Sequence, residues 1–199
     1  MQLKDLTSAG NSKLPRTTAI FNMCPATVCP SRALGMCQAI NKKGKNVCYA
    51  MKAESGVWPN VLPYRQKQEK YWMKVSAEQF TNEFISLNDS KRNKFKALRF
   101  NESGDFKSQA DVVKLEKISK CLVEAGVKVY IYTARKDLDY SKVKHTKILG
   151  SGFKKKGISG IFKYIESEAE NDSGFPVCVG DCKVCSACLN GASRAIPRH

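Results

Sequence analysis

Four cysteines fall between positions 178 and 188, in the run Cys178-Val-Gly-Asp-Cys182-Lys-Val-Cys185-Ser-Ala-Cys188. Gaps of two or three residues bring several sulfurs to one point without long loops. A tetrahedral metal ion or a cuboidal iron–sulfur cluster needs that arrangement. Gly180, Ser186 and Ala187 are small, so the backbone can wrap closely around a bulky guest. Disulfides are the competing reading. Thiols this close would make cramped rings, and the residues from Met1 to Thr7 lack the apolar segment of an export signal.

Zinc sites usually pair two short Cys-x-x-Cys hooks across a longer loop. Here the hooks overlap, as Cys182-x-x-Cys185-x-x-Cys188 with Cys178 three residues before. The run is similar to the bacterial ferredoxin pattern, and Cys178-x3-Cys182-x2-Cys185 has the spacing found in radical-SAM enzymes. Both point to a [4Fe-4S] cluster, with zinc the alternative.

A second set, Cys24-x4-Cys29-x7-Cys37-x10-Cys48, spans residues 24–48. Pro25, Pro30 and Gly35 read as loop, and 41–46 as a turn-rich insertion. A single free cysteine packs as a small hydrophobe. Four of them in a loop with few large apolar residues point instead to a second cluster or a zinc ion. The ninth cysteine, Cys121, lies beside a helical apolar stripe and is expected in the core, which leaves two sets of four.

These thiols must be held by a scaffold. At 199 residues the chain can bury one substantial core, so a single domain over 1–199 is expected. No apolar run is long enough for a membrane span. Thiolate ligands rather than disulfides suit a reducing cytoplasm. Lys plus Arg number 34 against 18 Asp plus Glu, a formal charge of +16. That favours a polyanion, nucleic acid or nucleotide, although a well-solvated surface gives the same sum.

Residues 1–16 read as a polar, flexible arm. The segments 17–23, 96–101, 127–133, 148–152 and 160–165 read as strands. Helices are expected over 59–74, from a capping box at Ser76-Ala-Glu-Gln79 onward, and from Ser108 to Ala125. The aromatic residues on these helices read as core. Residues 192–199 read as a basic tail. Strands alternating with helices give an α/β fold, either a partial (β/α) barrel or an open, curved, largely parallel sheet with cysteine-rich loops.

In such folds the loops after the strands carry function. Here they hold the first cysteine set, Glu102 and Asp105, Arg135 and Asp137, and the turn Gly150-Ser151-Gly152. The two carboxylates, Arg135 and Asp137 are candidate catalytic or positioning groups, though carboxylates at strand ends are also common helix caps. The glycine turn can admit a phosphate or ribose closely, while a plain tight turn is the blander reading. His145, in a basic segment, reads as solvated. Basic loops around Lys42, Lys91, Lys144 and Lys154 are candidate phosphate contacts.

Asn11-Ser-Lys-Leu-Pro15, Met23-Cys-Pro25, Cys48-Tyr-Ala50, the stretch from Arg99 to Phe106, Tyr132-Thr-Ala-Arg135 and the final cysteine run together resemble the phage gene product eighty-eight family. The resemblance implies a bacteriophage protein acting in the host cytoplasm. The Cys48-Tyr-Ala motif is also similar to phage radical-SAM-like barrels. Those enzymes carry Cys-x3-Cys-x2-Cys after the first strand, where this chain has the x4-x7 spacing. S-adenosylmethionine chemistry therefore does not follow from the likeness. Three functions compete: an iron–sulfur enzyme acting in redox chemistry or on a nucleotide or nucleic acid, a zinc- or cluster-stabilised nucleic-acid-binding protein without catalysis, and an electron carrier, which two clusters without an open iron would favour.

Overall fold

A computed structural model describes residues 2–37 and 48–197. Seven strands form one sheet in sequential order: β1 (Ser8–Ala9), β2 (Thr18–Phe21), β3 (Ala97–Phe100), β4 (Lys128–Thr133), β5 (Thr146–Ser151), β6 (Gly160–Ile165) and β7 (Arg194–Pro197). β1 runs antiparallel to β2, and every later neighbour is parallel. Two short helices, α1 (Pro30–Ala33) and α2 (Tyr49–Lys52), lie in the cysteine-rich segment after β2. The long ones are α3 (Val61–Lys74), α4 (Ala77–Asp89) and α5 (Gln109–Glu124). The architecture is α/β with an open, largely parallel sheet.

Parallel strands in sequential order, joined by right-handed crossovers, receive their crossover helices on one face. The core lies there. Phe21, Leu98, Phe100, Val129 and Ile131 from the strands meet Trp72, Phe80, Phe84, Leu115 and Ile118 from the helices. The Phe21 ring stands edge-on to Phe80, with centroids 5.2 Å apart, and close to Trp72 and Phe100. Such contacts add to the area that these large rings bury. The expected aromatic core residues of the helices are thus core.

Local signals set the helix ends. Ser76 Oγ accepts from Gln79 N–H at 3.0 Å and starts α4. The Gln79 side chain turns to Glu83 rather than back to the cap, so half of the expected box forms. Ahead of α5, Asp111 accepts from the N–H groups of Lys107 and Ser108 and from the Trp72 indole.

Several sequence readings differ from the structure. The sheet has seven strands where five were expected, because the two edge strands lack a periodic signal. Residues 2–16 are not a detached arm. Leu3, Leu6 and Leu14 are buried, a 3-10 turn spans Leu3–Asp5, and Ser8–Ala9 is an edge strand. The Leu3 N–H donates to Glu83 on α4 at 2.8 Å. The tail contains β7, paired with β6. Cys121 is exposed on α5, since it sits just outside the buried stripe of Val112, Leu115, Ile118 and Leu122. The turn read at 41–46, with Lys42, lies outside the described residues. Among the described residues, no helix is long and apolar enough to cross a membrane.

Leu6 is 1% exposed inside the core. Leu6→Ala is therefore expected to cost about 2–5 kcal/mol. Denaturant unfolding of the two proteins measures it, and equal midpoints would return the segment to the status of an arm.

Candidate functional site

The sheet face turned away from the helices has little secondary structure to cover it. Ala97, Tyr130 and Leu149 are buried there, with Tyr132, Phe162, Cys188 and Leu189 packed against them. The C-terminal cysteine segment supplies the cover. Its backbone is pinned by Cys178 N–H to Ala195 O at 2.8 Å and by Cys182 N–H to Lys13 O at 3.1 Å. Lys128 Nζ donates to Asn190 Oδ1 at 3.0 Å. Gly160 permits the closest approach: a Cβ there would come within 2.3 Å of the Gly191 carbonyl oxygen.

All four C-terminal cysteines line one cavity of about 280 Å³, together with Tyr130, Tyr132, Lys96 and Arg194. The Cys188 thiol lies in the electrostatic field of Cys178, Cys182 and Cys185. Burial pushes the Cys182 and Cys188 thiols up, and neighbouring thiolates add to the effect. The nearby Tyr132 hydroxyl works against it. Four soft sulfur donors around one cavity fit an iron–sulfur cluster or a zinc ion. Among the described residues, no three His, Cys, Asp or Glu side chains stand gathered as ready ligands of a single ion.

The N-terminal set sits elsewhere, at the rim formed by the C-terminal ends of β2, β3 and β4. Cys24 follows β2 and is sealed from solvent. Its thiol donates to the Asp105 carbonyl oxygen at 3.6 Å, and burial pushes it up to about 12. Burial likewise pushes Cys29 up to about 12, with Asp105 and Cys37 adding to the rise. Cys24, Cys29 and Cys37 are therefore brought into one neighbourhood, while Cys48 heads α2 beside Tyr49. Gly104, at φ +76°, lets the loop after β3 close on this corner, because a Cβ would lie 2.4 Å from the Cys24 sulfur.

The other rim groups are engaged within the chain. Asp105 is buried and accepts from Ser31 Oγ, from Ala134 N–H at 2.8 Å and from Phe106 N–H at 2.8 Å. Burial pushes its carboxyl up against these hydrogen bonds. Arg135 donates to the Phe106 and Lys107 carbonyls and forms a two-pronged pair with Asp137, closest at 2.7 Å. These contacts tie the loops after β3 and β4 together. Glu102 accepts from Asn11 Nδ2 and so joins the rim to the N-terminal segment.

At the turn after β5, Gly150 is backed by the Phe153 carbonyl, and the Gly152 N–H donates to Phe162 O at 3.0 Å. Ser151 pairs with Phe162 across the sheet. Lys154 donates to the carbonyls of Ile158 and Ser159, and Lys155 to those of Lys136 and Leu138. These ammonium groups hold the loop. His145 is not merely solvated: its Nδ1 lies 2.7 Å from Glu116, which also accepts from the N–H groups of Lys144, His145 and Thr146.

Sequence reasoning missed the polar group on which this rim rests. Glu54 is buried and accepts from Ala26 N–H (2.9 Å), Thr27 N–H (3.1 Å), Ser103 Oγ (2.8 Å) and Arg65 Nη1 (2.7 Å). Beside it, Gln68 donates to Leu6 O and accepts from Asn22 Nδ2, while Asn22 Oδ1 takes the N–H groups of Glu102 and Ser103. A signal existed in α3. Arg65 and Gln68 occupy the inward face with Trp72, where a polar residue demands a buried partner.

A family model described as Gene product 88 matches residues 2–151. It spans the rim, the first cysteine set and every quoted motif but the last, and it stops before the C-terminal cysteines. No curated protein and no solved structure matches the chain.

Burial opposes ionisation of Glu54, but the hydrogen bonds from Ala26, Ser103, Arg65 and Thr27 outweigh it and hold the carboxyl below its usual range. A depressed folded value contributes stability that is present above the unfolded pKa, about 4.3, and is lost as pH falls through the folded one. Glu54→Gln should cost roughly 3–5 kcal/mol at neutral pH, because Arg65 is left buried and unpaired. The variant should also lose less stability than the wild type between neutral pH and pH below about 4. Urea unfolding across pH tests both, and parallel pH curves would refute the assignment.

Proposed function

Starting from a chain that belongs to the Gene product 88 family, we propose that it is a bacteriophage iron–sulfur protein in which Cys178, Cys182, Cys185 and Cys188 hold a [4Fe-4S] cluster against the open face of the sheet. One observation carries the reading: these four thiols line a single cavity, within one another's electrostatic field. Iron is preferred to zinc because the hooks overlap in sequence instead of standing apart. The host cytoplasm, where thiols stay reduced, suits such ligands. When bound by all four thiolates, the cluster would supply one-electron chemistry; an open iron site would require that only three of the four ligate it.

The chain's own residues set the surroundings. Tyr130 and Tyr132 wall the cavity on the sheet side, and the Tyr132 hydroxyl, close to Cys188, would donate to its sulfur in the bound state. Lys96, Lys183 and Arg194 also line it against one carboxylate, Asp181, an excess of cationic side chains. With the net charge of +16, this supports an anionic partner, a nucleotide or nucleic acid, approaching the same face. Cys24, Cys29, Cys37 and Cys48 are proposed as a second metal site, for iron or zinc. Glu102, Asp105, Arg135 and Asp137 are proposed to position the rim rather than to react, since their partners lie within the chain.

The test is metal analysis and visible and paramagnetic spectroscopy on protein prepared without oxygen. About four iron atoms per chain are expected for the C-terminal site, and more iron or added zinc if the N-terminal set is also filled. Cys182→Ser and Cys185→Ser should each lose that iron and melt lower, because ligation energy is folding energy. Cys121→Ser should keep it. Tyr132→Phe should retain iron but lower the reduction potential, since hydrogen bonds to cluster sulfurs stabilise the reduced form. Full iron in both serine variants, or a colourless zinc protein, would overturn the cluster.

A further inference from the structure

Two buried N–H donors at the C-terminal end of β3 have no partner. They are Arg99 Nε and Asn101 Nδ2. Buried donors without an acceptor are rare, and each asks for an explanation. These two are also related. Arg99 lies within β3, and Asn101 follows directly on its last residue, Phe100. Arg99 faces away from the helices and stands opposite Tyr130 in the register of β3 and β4.

The Asn101 orientation is fixed. Its Oδ1 accepts from the Met23 N–H at 2.8 Å, so Nδ2 is the end left over. Arg99 cannot lose its charge, and a buried charge needs a counter-charge. Its guanidinium lies over the Tyr132 ring at 5.1 Å, which compensates in part. Tyr49, Tyr130 and Glu102 are near enough to be felt. Among the described residues, none accepts a hydrogen bond from its side chain or forms an ion pair with it. Glu102 is instead held by Asn11.

A cationic fork beside a neutral amide donor matches one kind of group, an oxygen acceptor bearing negative charge. Both donor atoms are sealed from solvent, so a ligand reaches them only as neighbouring side chains open. Tyr49 is 59% exposed and is anchored by its hydroxyl on Glu102 O at 2.6 Å. The Tyr132 ring under Arg99 is also a wall of the cysteine-lined cavity. We propose that Arg99 and Asn101 bind the oxyanion of a small ligand, a phosphate or a carboxylate, on the open face of the sheet beside that cavity. The site uses none of the cysteines as a contact, but the Arg99 charge is felt by the Cys182 thiol, so iron content is followed beside binding.

Isothermal titration of the full chain, prepared without oxygen and at low ionic strength, tests this with inorganic phosphate, adenosine monophosphate and malonate as probes. Phosphate and the nucleotide separate one source of the oxyanion from malonate, the other. At least one probe is expected to bind. Arg99→Gln should weaken it by roughly tenfold or more, and Asn101→Ala by up to about tenfold, the range for a lost charged and a lost neutral hydrogen bond. Lys120→Gln, at an exposed position on α5, removes the same unit of charge elsewhere and should bind as the wild type does. If Arg99→Gln does not fold, Arg99→Lys and Asn101→Ala carry the comparison.

The proposal fails if the wild type binds no probe, if the site variants bind as the wild type does, or if Lys120→Gln weakens binding equally. Iron content is measured on each protein. An Arg99→Gln variant that loses iron but keeps anion binding would mean that the guanidinium balances the thiolates, and this too would overturn the site. Anion binding with the expected variant effects, in a wild type that contains no iron, would remove the cluster and leave the oxyanion site standing.

Discussion

The order of the strands governs the rest of the molecule. β2 to β7 run parallel in the order in which they are made, so right-handed crossovers send the long helices to one face. That face closes into an aromatic and aliphatic core. The other face would expose Tyr130, Leu149 and Phe162 to water, at a cost of about 25 cal/mol for each Å² of apolar surface. The segment joining β6 to β7 crosses this face, and it carries four of the nine cysteines. The feature with the clearest metal-binding spacing is thus also the lid on half of the sheet, so ligation there would couple directly to folding.

Polar networks hold the rim at the C-terminal strand ends. Glu54, Asn22 and Asp105 are buried and each accepts several hydrogen bonds from loops far apart in sequence. A buried carboxylate is tolerated only where such donors replace water. The fixed geometry that results suits a corner where Cys24, Cys29 and Cys37 meet. It also explains why the loop Asn101 to Phe106 is rich in polar residues without being a catalytic loop by that fact alone. Against this background of satisfied groups, the two unpartnered donors on β3 stand out.

The N-terminal segment joins the two halves. Asn11 holds its own turn through Lys13 N–H and Leu14 N–H and donates to Glu102, while Lys13 O accepts from Cys182. Rim and lid are therefore connected through residues 11–13, on a stretch with no strong structural signature. The excess of cationic side chains lining the cavity and the Arg99 guanidinium belong to the same face, so an anion drawn by one is brought near the other.

The sequence by itself determined the α/β class, the five inner strands and the three long helices. Each is a local pattern of period two or 3.6, ended by Ser76, Ser108 or Gly126. The gathering of the four C-terminal cysteines around one cavity was legible too, since close spacing limits where their sulfurs can go. The edge strands β1 and β7, the burial of Leu3 and Leu6 and the exposure of Cys121 were not legible, because each depends on what a neighbour far along the chain presents. The same holds for the site. Only the tertiary structure brought Glu54 to Arg65 and Ser103, engaged Asp105 and Arg135 inside the chain, and left Arg99 and Asn101 without acceptors. Hydrogen-bond partners in three dimensions are set by packing across the fold, and no periodicity records them.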